Sequence, residues 1–191
     1  MSSAPLLTLA SASPRRSELL RQIGVAHRVR VAAVDERVLP DELARAYVQR
    51  LAAQKARAAW ALDSTLPVLA ADTCVVLDET IYGKPSGRAD ALRMLERLSG
   101  RVHEVMTAVA LATADALDVR LSVSQVALRA IDAAEREAYW DSGEPADKAG
   151  GYAIQGRGAR FIRHLEGSYS GVMGLPLFET AELLRLRALV P

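Results

Sequence analysis

The chain has 191 residues, half of them apolar and a quarter charged, enough to bury a substantial core in one domain or two closely packed lobes. Lys and Arg number 24 against 23 Asp and Glu, so no global field draws the chain to nucleic acid or acidic membrane, and any bound anion must be held by a local cluster. The single cysteine, Cys74, excludes an internal disulfide and a cysteine-cluster metal site.

Met1 to Leu9 has no basic region ahead of a long apolar core and so does not read as a signal peptide. No apolar run approaches the length of a membrane span, and a cytoplasmic location is expected. Leu6 to Ala10 reads as a strand. It is followed by a tight Ser-Ala-Ser-Pro loop and a helix carrying Leu19, Leu20 and Ile23, ended by Gly24. Val25 to Val34 reads as a second strand. Asp41 to Leu62 is the longest helical pattern, with Pro40 suited to its start. Val68 to Leu77 is an apolar run of the kind found in fully buried strands, and Ile81 and Tyr82 before Gly83-Lys84-Pro85 suggest a hairpin return. Ala89 to Leu98 is a short helix closed by Gly100.

Val102 to Thr113 and Val119 to Ile131 read as a long antiparallel hairpin. Ala133 to Trp140 is helical, Ser142 to Gly151 is a polar loop, and Tyr152 to Ile154 and Ala159 to Leu165 are expected strands. Pro176 opens a last amphipathic helix through Leu189. The sum is an α/β chain: a mixed twisted sheet with flanking helices, a single domain over 1–191 that can divide into two lobes around a cleft.

Four features carry chemical interest. In Ser11-Ala12-Ser13-Pro14-Arg15-Arg16 a loop enters a helix, with Ser13 at the N-cap and Pro14 at the first helical position. Unpaired N–H groups, two hydroxyls and two guanidiniums there suit phosphate oxygens. A plain Ser-Pro cap is the simpler reading, but adjacent cations at a helix N-terminus oppose its dipole unless an anion is present. Lys55 falls about 20° from Val48 and about 40° from Leu51 and Ala59 around its helix, on the apolar face. It either snorkels to the surface or points into a cleft.

Asp72, with Thr73 beside it, interrupts the buried run Val68–Leu77. A carboxylate there costs several kcal/mol unless paired, protonated or bound to metal, which makes it a candidate general base or metal ligand. The alternative is a strand that stops at Ala71, against which the run through Leu77 argues. Lys84 after the return, and Glu36 at the end of the second strand, add a cation and a carboxylate. Last, the stretch Ala149 to Gly158 is glycine-rich and carries Gln155, which can both donate and accept, as reading a base edge requires. Its spacing fits neither a Walker A loop nor a dinucleotide fingerprint, and a glycine-rich turn is the bland reading. His27, His103 and His164 form no metal spacing, and His103 reads as structural.

These segments together resemble the Maf family of nucleotide pyrophosphatases. The matches run in order: Leu9 to Arg16, Lys55-Ala56, Ala70 to Thr73, Gly83 to Pro85, Gly100 to His103 with Thr107 to Val109, Gly151 to Gly156, and Gly167 to Ser170 with Gly174 to Leu177. The resemblance implies a Maf/ITPase-like fold around a nucleotide-binding cleft, divalent-metal-dependent (Mg²⁺ or Mn²⁺) hydrolysis of nucleoside triphosphates to monophosphate and pyrophosphate, and a homodimer. It implies Asp72 as proton acceptor and Arg15, Thr73 and Gln155 in substrate choice; the mechanism expected from these residues has Glu36, with or without Asp72, helping to hold the metal. Ser13, Arg16, Glu36, Lys55 and Lys84 match polar residues around the phosphates, and Ser11 of the same loop is a further candidate for binding the substrate. The stretch Ser142 to Gly150 resembles the branch acting on dTTP and UTP rather than the one acting on 7-methyl-GTP. The rival classes are a phosphatase releasing terminal orthophosphate and a non-enzymatic nucleotide-binding regulator of division.

Overall fold

The structure is a computed structural model, and the residues it describes are 4–190. Met1 to Ser3, the first part of the segment read as lacking a signal peptide, lie outside the described residues, as does Pro191.

Among the described residues seven strands form one sheet. In chain order the elements are β1 (Leu7–Leu9), α1 (Pro14–Gln22), β2 (His27–Val29), α2 (Ala44–Leu62), β3 (Val68–Leu77), β4 (Thr80–Tyr82), α3 (Arg88–Leu98), β5 (Val102–Ala112), β6 (Leu117–Leu128), α4 (Ala133–Asp141), β7 (Ile162–Glu166), α5 (Tyr169–Met173) and α6 (Leu177–Leu186). The strand order is β2-β1-β3-β5-β6-β7, with β4 also on β3. β1 runs parallel to β2 and β3, and every other pairing is antiparallel.

Both faces of the sheet are covered, which is why β3 is apolar almost throughout rather than alternating. On one face α2 lays Tyr47, Val48, Leu51, Ala52, Ala56 and Ala59 against Ala70, Cys74 and Val76 of β3 and Met106, Ala108 and Ala110 of β5. Alanines on both sides of this contact let the helix axis come close to the sheet while favouring helix in α2. On the other face α1 and α6 pack Leu19, Leu20, Leu183 and Leu184 over Leu7, Leu9, Leu69 and Leu111. Further along that face Leu95, Leu98, Tyr139 and Phe161 cover Val75, Leu77, Val105 and Leu128. Each fully buried leucine contributes about 1.5–3 kcal/mol over its exposed state. Among the described residues no helix is long and apolar enough to cross a membrane.

Several sequence expectations are corrected. The second strand is not Val25–Val34 but His27–Val29, because β1, its only partner among the described residues, offers three residues; Arg30 N–H makes one last bond to the Leu9 carbonyl (3.1 Å). The long helix starts at Ala44, not near Asp41. Asp41 has a φ of 56°, outside the helical region, and Glu42 folds back to accept from the Leu39 N–H (3.0 Å) and from Arg50 Nε (2.5 Å). Tyr152 to Ile154 is not a strand: the Ala153 N–H donates to the Tyr139 hydroxyl (3.1 Å) instead of to a neighbouring strand. Ala159 to Leu165 divides into a 3₁₀ turn, Gly156–Phe161, and β7. The last helix ends at Leu186 rather than Leu189, and α5, capped by Ser168 Oγ accepting from the Gly171 N–H (3.0 Å), was not foreseen.

A tight turn, Ala149–Gly151, locks onto the sheet where β3 and β4 part. Gly150 sits at φ 69°, donates its N–H to the Gly83 carbonyl (3.0 Å), and leaves only 2.9 Å between a would-be Cβ and Val75 Cγ2. Gly150→Ala is therefore expected to lose about 1–3 kcal/mol of stability through strain and overpacking. Urea denaturation checks this: a midpoint lowered at constant m-value is expected, and an unmoved midpoint refutes it.

Candidate active site

The site exists because one edge of β3 is shared. β5 pairs with β3 along Val68 to Val76. On the opposite edge β1 reaches only Val68 and Leu69, and β4 begins only at Val75. Between them, residues 70–74 have no strand partner on that edge among the described residues. The loop leaving β1 and the loop leaving β4 diverge from this gap and open a cleft of about 660 Å³, within the range of small-molecule sites. Strand alternation points Asp72 toward α2 and Thr73 to the other face, yet both border the gap and line the cleft.

Asp72 is only 6% exposed. Its Oδ1 accepts from Lys55 Nζ at 2.6 Å, and the same ammonium lies 2.7 Å from Glu36 Oε1. Lys55 therefore enters the cleft instead of snorkelling, a cation bridging two carboxylates. Burial drives the pKa of Asp72 up, against the pull of Lys55 and then of Arg16. Burial acts on Glu36 in the same sense, but Lys55, Lys84 and Arg16 outweigh it and hold that carboxyl below its ordinary range. The chain before α2 that carries Glu36 is fastened by Tyr47, whose hydroxyl donates to the Glu36 carbonyl (3.0 Å).

Arg16 ties the phosphate-type loop to two other segments. Its Nη1 donates to Ser11 Oγ (3.1 Å), Nη2 to Thr73 Oγ1 (3.2 Å) and Nε to the Gly174 carbonyl (2.7 Å). A guanidinium has five N–H groups, so two remain for a ligand. Burial lowers its pKa, opposed by the charge of Asp72. Thr73 Oγ1 in turn meets Thr107 Oγ1 (2.9 Å), which donates to the Gly171 carbonyl (2.8 Å). Ser13 occupies the N-cap position with Pro14 at the first helical position, as expected, and its side chain makes no capping bond. Its N–H donates to Ser11 Oγ (3.2 Å), and the first turn of α1 faces the cleft without a side-chain cap.

All ten candidate residues line this one cleft: Ser11, Ser13, Arg15, Arg16, Glu36, Lys55, Asp72, Thr73, Lys84 and Gln155. The sequence reading missed Tyr47, Asp147, Lys148 and Tyr152, which line it too. Arg15 reaches Asp147 across the cleft at 3.7 Å, and Lys148 also contacts Asp147. The charged Asp-Lys pair inside a Gly- and Pro-containing loop was the available signal for those two. Among the described residues no group of three His, Cys, Asp or Glu side chains could hold a metal ion. Glu36 and Asp72 are nonetheless hard oxygen donors held together by one cation. They fit a magnesium-type ion that takes one or two protein carboxylates and completes its shell with water and phosphate oxygens.

His103 lies behind the cleft wall. Its Nε2 meets the Tyr152 hydroxyl at 2.7 Å, the rings are edge to face at 5.4 Å, and Nδ1 has no partner among the described residues.

The sequence profile of the family described as "Maf-like protein" matches residues 6–187. A Bordetella avium protein named dTTP/UTP pyrophosphatase is 54% identical over 97% of this chain and 96% of its own length. One of the same name from Alkalilimnicola ehrlichii is 54% identical, covering 94% of this chain and 92% of its own. A third, from Pseudoalteromonas atlantica, is 49% identical over 94% and 95%.

Burial lowers the His103 pKa from 6.5 to about 4, so the ring is neutral in the fold but titrates normally when unfolded. The unfolded chain then binds the extra proton between those values, and stability rises with pH across that window. The His103 contribution is complete above 6.5 and drains away as pH falls toward 4, by about 3 kcal/mol in all. Denaturant titrations at pH 7 and pH 4.5 should show that His103→Gln flattens this dependence. An unchanged slope in the variant would exclude His103 as its source.

Proposed function

The chain belongs to the Maf-like protein family, and from that premise we propose that it is a nucleoside triphosphate pyrophosphatase hydrolysing dTTP and UTP to the monophosphate and pyrophosphate. The observation that carries this reading is the buried Asp72, paired with Lys55 beside Glu36, in a cleft whose other wall is the cationic start of α1.

Asp72 accepts a proton from water as the water oxygen bonds to the α-phosphorus. The bond from that phosphorus to the α,β-bridging oxygen breaks, and its electrons leave with pyrophosphate. Burial raises the basicity of Asp72 against the opposing pull of Lys55, and raised basicity is the direction a general base requires. Arg15, Arg16, Lys55 and Lys84 offset the charge gathering on the departing pyrophosphate. Ser11 and Ser13 add hydroxyl donors at the phosphates. Glu36, with or without Asp72, would hold Mg²⁺ or Mn²⁺, which when bound supplies charge neutralisation at the phosphate oxygens.

Arg15, Thr73 and Gln155 belong to substrate choice. The imide edge of uracil and thymine offers carbonyl acceptors beside an N–H donor, and the Gln155 amide can match both kinds. A cytoplasmic homodimer is the form this reading expects.

Pyrophosphate release from a nucleotide panel with Mg²⁺, Mn²⁺ and EDTA tests the proposal. Metal-dependent release greatest with dTTP or UTP is expected, and orthophosphate as the first product would replace it with a terminal phosphatase. Asp72→Asn keeps the shape and removes the base, so turnover should fall by about 10²–10⁴-fold with dTTP still bound. Near wild-type turnover in that variant would remove Asp72 from the role.

A further inference from the structure

The stretch from Ala153 to Gly158 carries Gln155 into the cleft, and no strand holds it. Its anchorage comes instead from two side chains beneath it. The Tyr139 hydroxyl, at the end of α4, accepts from the Ala153 N–H at 3.1 Å and donates to Glu144 Oε1 at 2.7 Å. Glu144 Oε1 also accepts from the Gly158 N–H (2.9 Å), and Oε2 accepts from the Arg157 N–H (2.9 Å). The carboxylate and phenol thus grip the chain on both sides of Gln155.

The fit is close enough to dictate the neighbouring residue types. Gly156, at φ 73°, would place a Cβ 2.4 Å from Glu144 Oε2. At Gly158 a Cβ would come within 2.4 Å of the Ala153 carbonyl oxygen and 2.5 Å of the Tyr139 hydroxyl. Partial burial penalises the Glu144 charge, but donors from Tyr139, Arg157 and Gly158 and the charge of Lys148 outweigh it, and the carboxyl titrates below its ordinary range. Glu144 is absent from the cleft lining, whereas Gln155 is part of it. A carboxylate that accepts from a phenol and two backbone N–H groups without meeting the cleft shapes the segment above it.

We infer that Glu144, with Tyr139, is a positioning residue for base recognition, setting the height and direction of Gln155 against the edge of the pyrimidine; this rests on the reading that Gln155 contacts the base. The phosphate half of the cleft is built on α1, α2 and β3, and the Tyr139 hydroxyl and Glu144 carboxylate bond to none of Ser11, Ser13, Arg16, Lys55 or Lys84. Base affinity and phosphate affinity are therefore separable.

Glu144→Gln is isosteric, and whichever way its amide turns, an NH₂ faces either the Arg157 or the Gly158 N–H. Expected in the full-length variant are a KM for dTTP and UTP raised about tenfold, as for a lost charge-assisted bond, and a kcat within about threefold of wild type. Calorimetric binding of dTMP should weaken by a similar factor, while pyrophosphate binding stays as in wild type. Tyr139→Phe keeps the ring against Phe161 and should shift the same quantities in the same direction; it decides the matter should Glu144→Gln lose its cooperative thermal transition. Gln155→Ala, measured in parallel, separates the two layers. If Gln155→Ala weakens dTMP but Glu144→Gln and Tyr139→Phe do not, the positioning role is refuted and base reading by Gln155 stands. If Gln155→Ala leaves dTMP affinity intact, the base reading falls and takes the positioning role with it. Equal losses of dTMP and pyrophosphate affinity in Glu144→Gln and Tyr139→Phe would reduce the grip to a general structural one and overturn the inference.

Discussion

The structure turns on keeping one charge, Asp72, inside a sheet. A carboxylate buried between a strand and the helix over it costs several kcal/mol, and the fold supplies its compensation from that helix. Lys55 comes from α2, whose alanine-rich face lets the helix approach the sheet closely enough for its ammonium to reach Oδ1 at 2.6 Å. The position of α2, the gap on the edge of β3 and the site of the cleft are thus consequences of one arrangement. Had β1 continued past Leu9, it would have covered the edge beside Asp72 and closed the cleft. The shortness of β1 and β4 is part of the site.

Arg16 does for the loops what Lys55 does for the sheet. It joins the start of α1, the middle of β3 and the turn after α5 through three hydrogen bonds. Gly174 lies at φ 112°, and a Cβ there would stand 3.3 Å from Arg16 Nε, so the turn is shaped around the guanidinium. The chain from Thr73 through Thr107 to the Gly171 carbonyl carries the same tie into the neighbouring strand. Arg16 is therefore as much a fastening as a ligand contact, which its place in a Ser-Pro-Arg-Arg loop did not disclose.

What the sequence revealed follows from which interactions are local. β3 was legible to the residue because ten consecutive positions are nearly all apolar, and Asp72 stood out against them. The angular position of Lys55 on its helix placed it on the buried face, but its two partners lie 17 and 19 residues away and left no trace in spacing. The errors share a cause. Val25 to Val34 has strand composition, yet the partner that decides its length is β1. The start of α2 depends on Glu42 folding back onto Arg50, and Tyr152 to Ile154 is held by the Tyr139 side chain in place of a strand. Tertiary partners overrode local pattern in each case. Glu144 was hidden for the same reason, an acidic residue in a polar loop whose three donors come from residues 139, 157 and 158.

The charge pattern of the cleft carries one more consequence. The chain as a whole is nearly neutral, so a polyanion is met by cations gathered locally. Most of these already have anionic company: Lys55 has Asp72 and Glu36, while Arg15 and Lys148 have Asp147. Among the described residues Lys84 and Arg16 have no carboxylate within ion-pair distance. Under the proposed function, phosphate entry is an exchange of partners for the paired cations: Arg15, Lys55 or Lys148, on turning to the substrate, releases a carboxylate. For Asp147 the release is inexpensive because its side chain is largely exposed. For Asp72 it is not, since a buried carboxylate stripped of its counter-charge must regain one or take up a proton. Proton uptake is what a general base does, and a divalent ion arriving with the nucleotide is the other way to settle the same charge. The buried pair of Lys55 and Asp72 thus links substrate arrival to the basicity of the residue proposed to act on water.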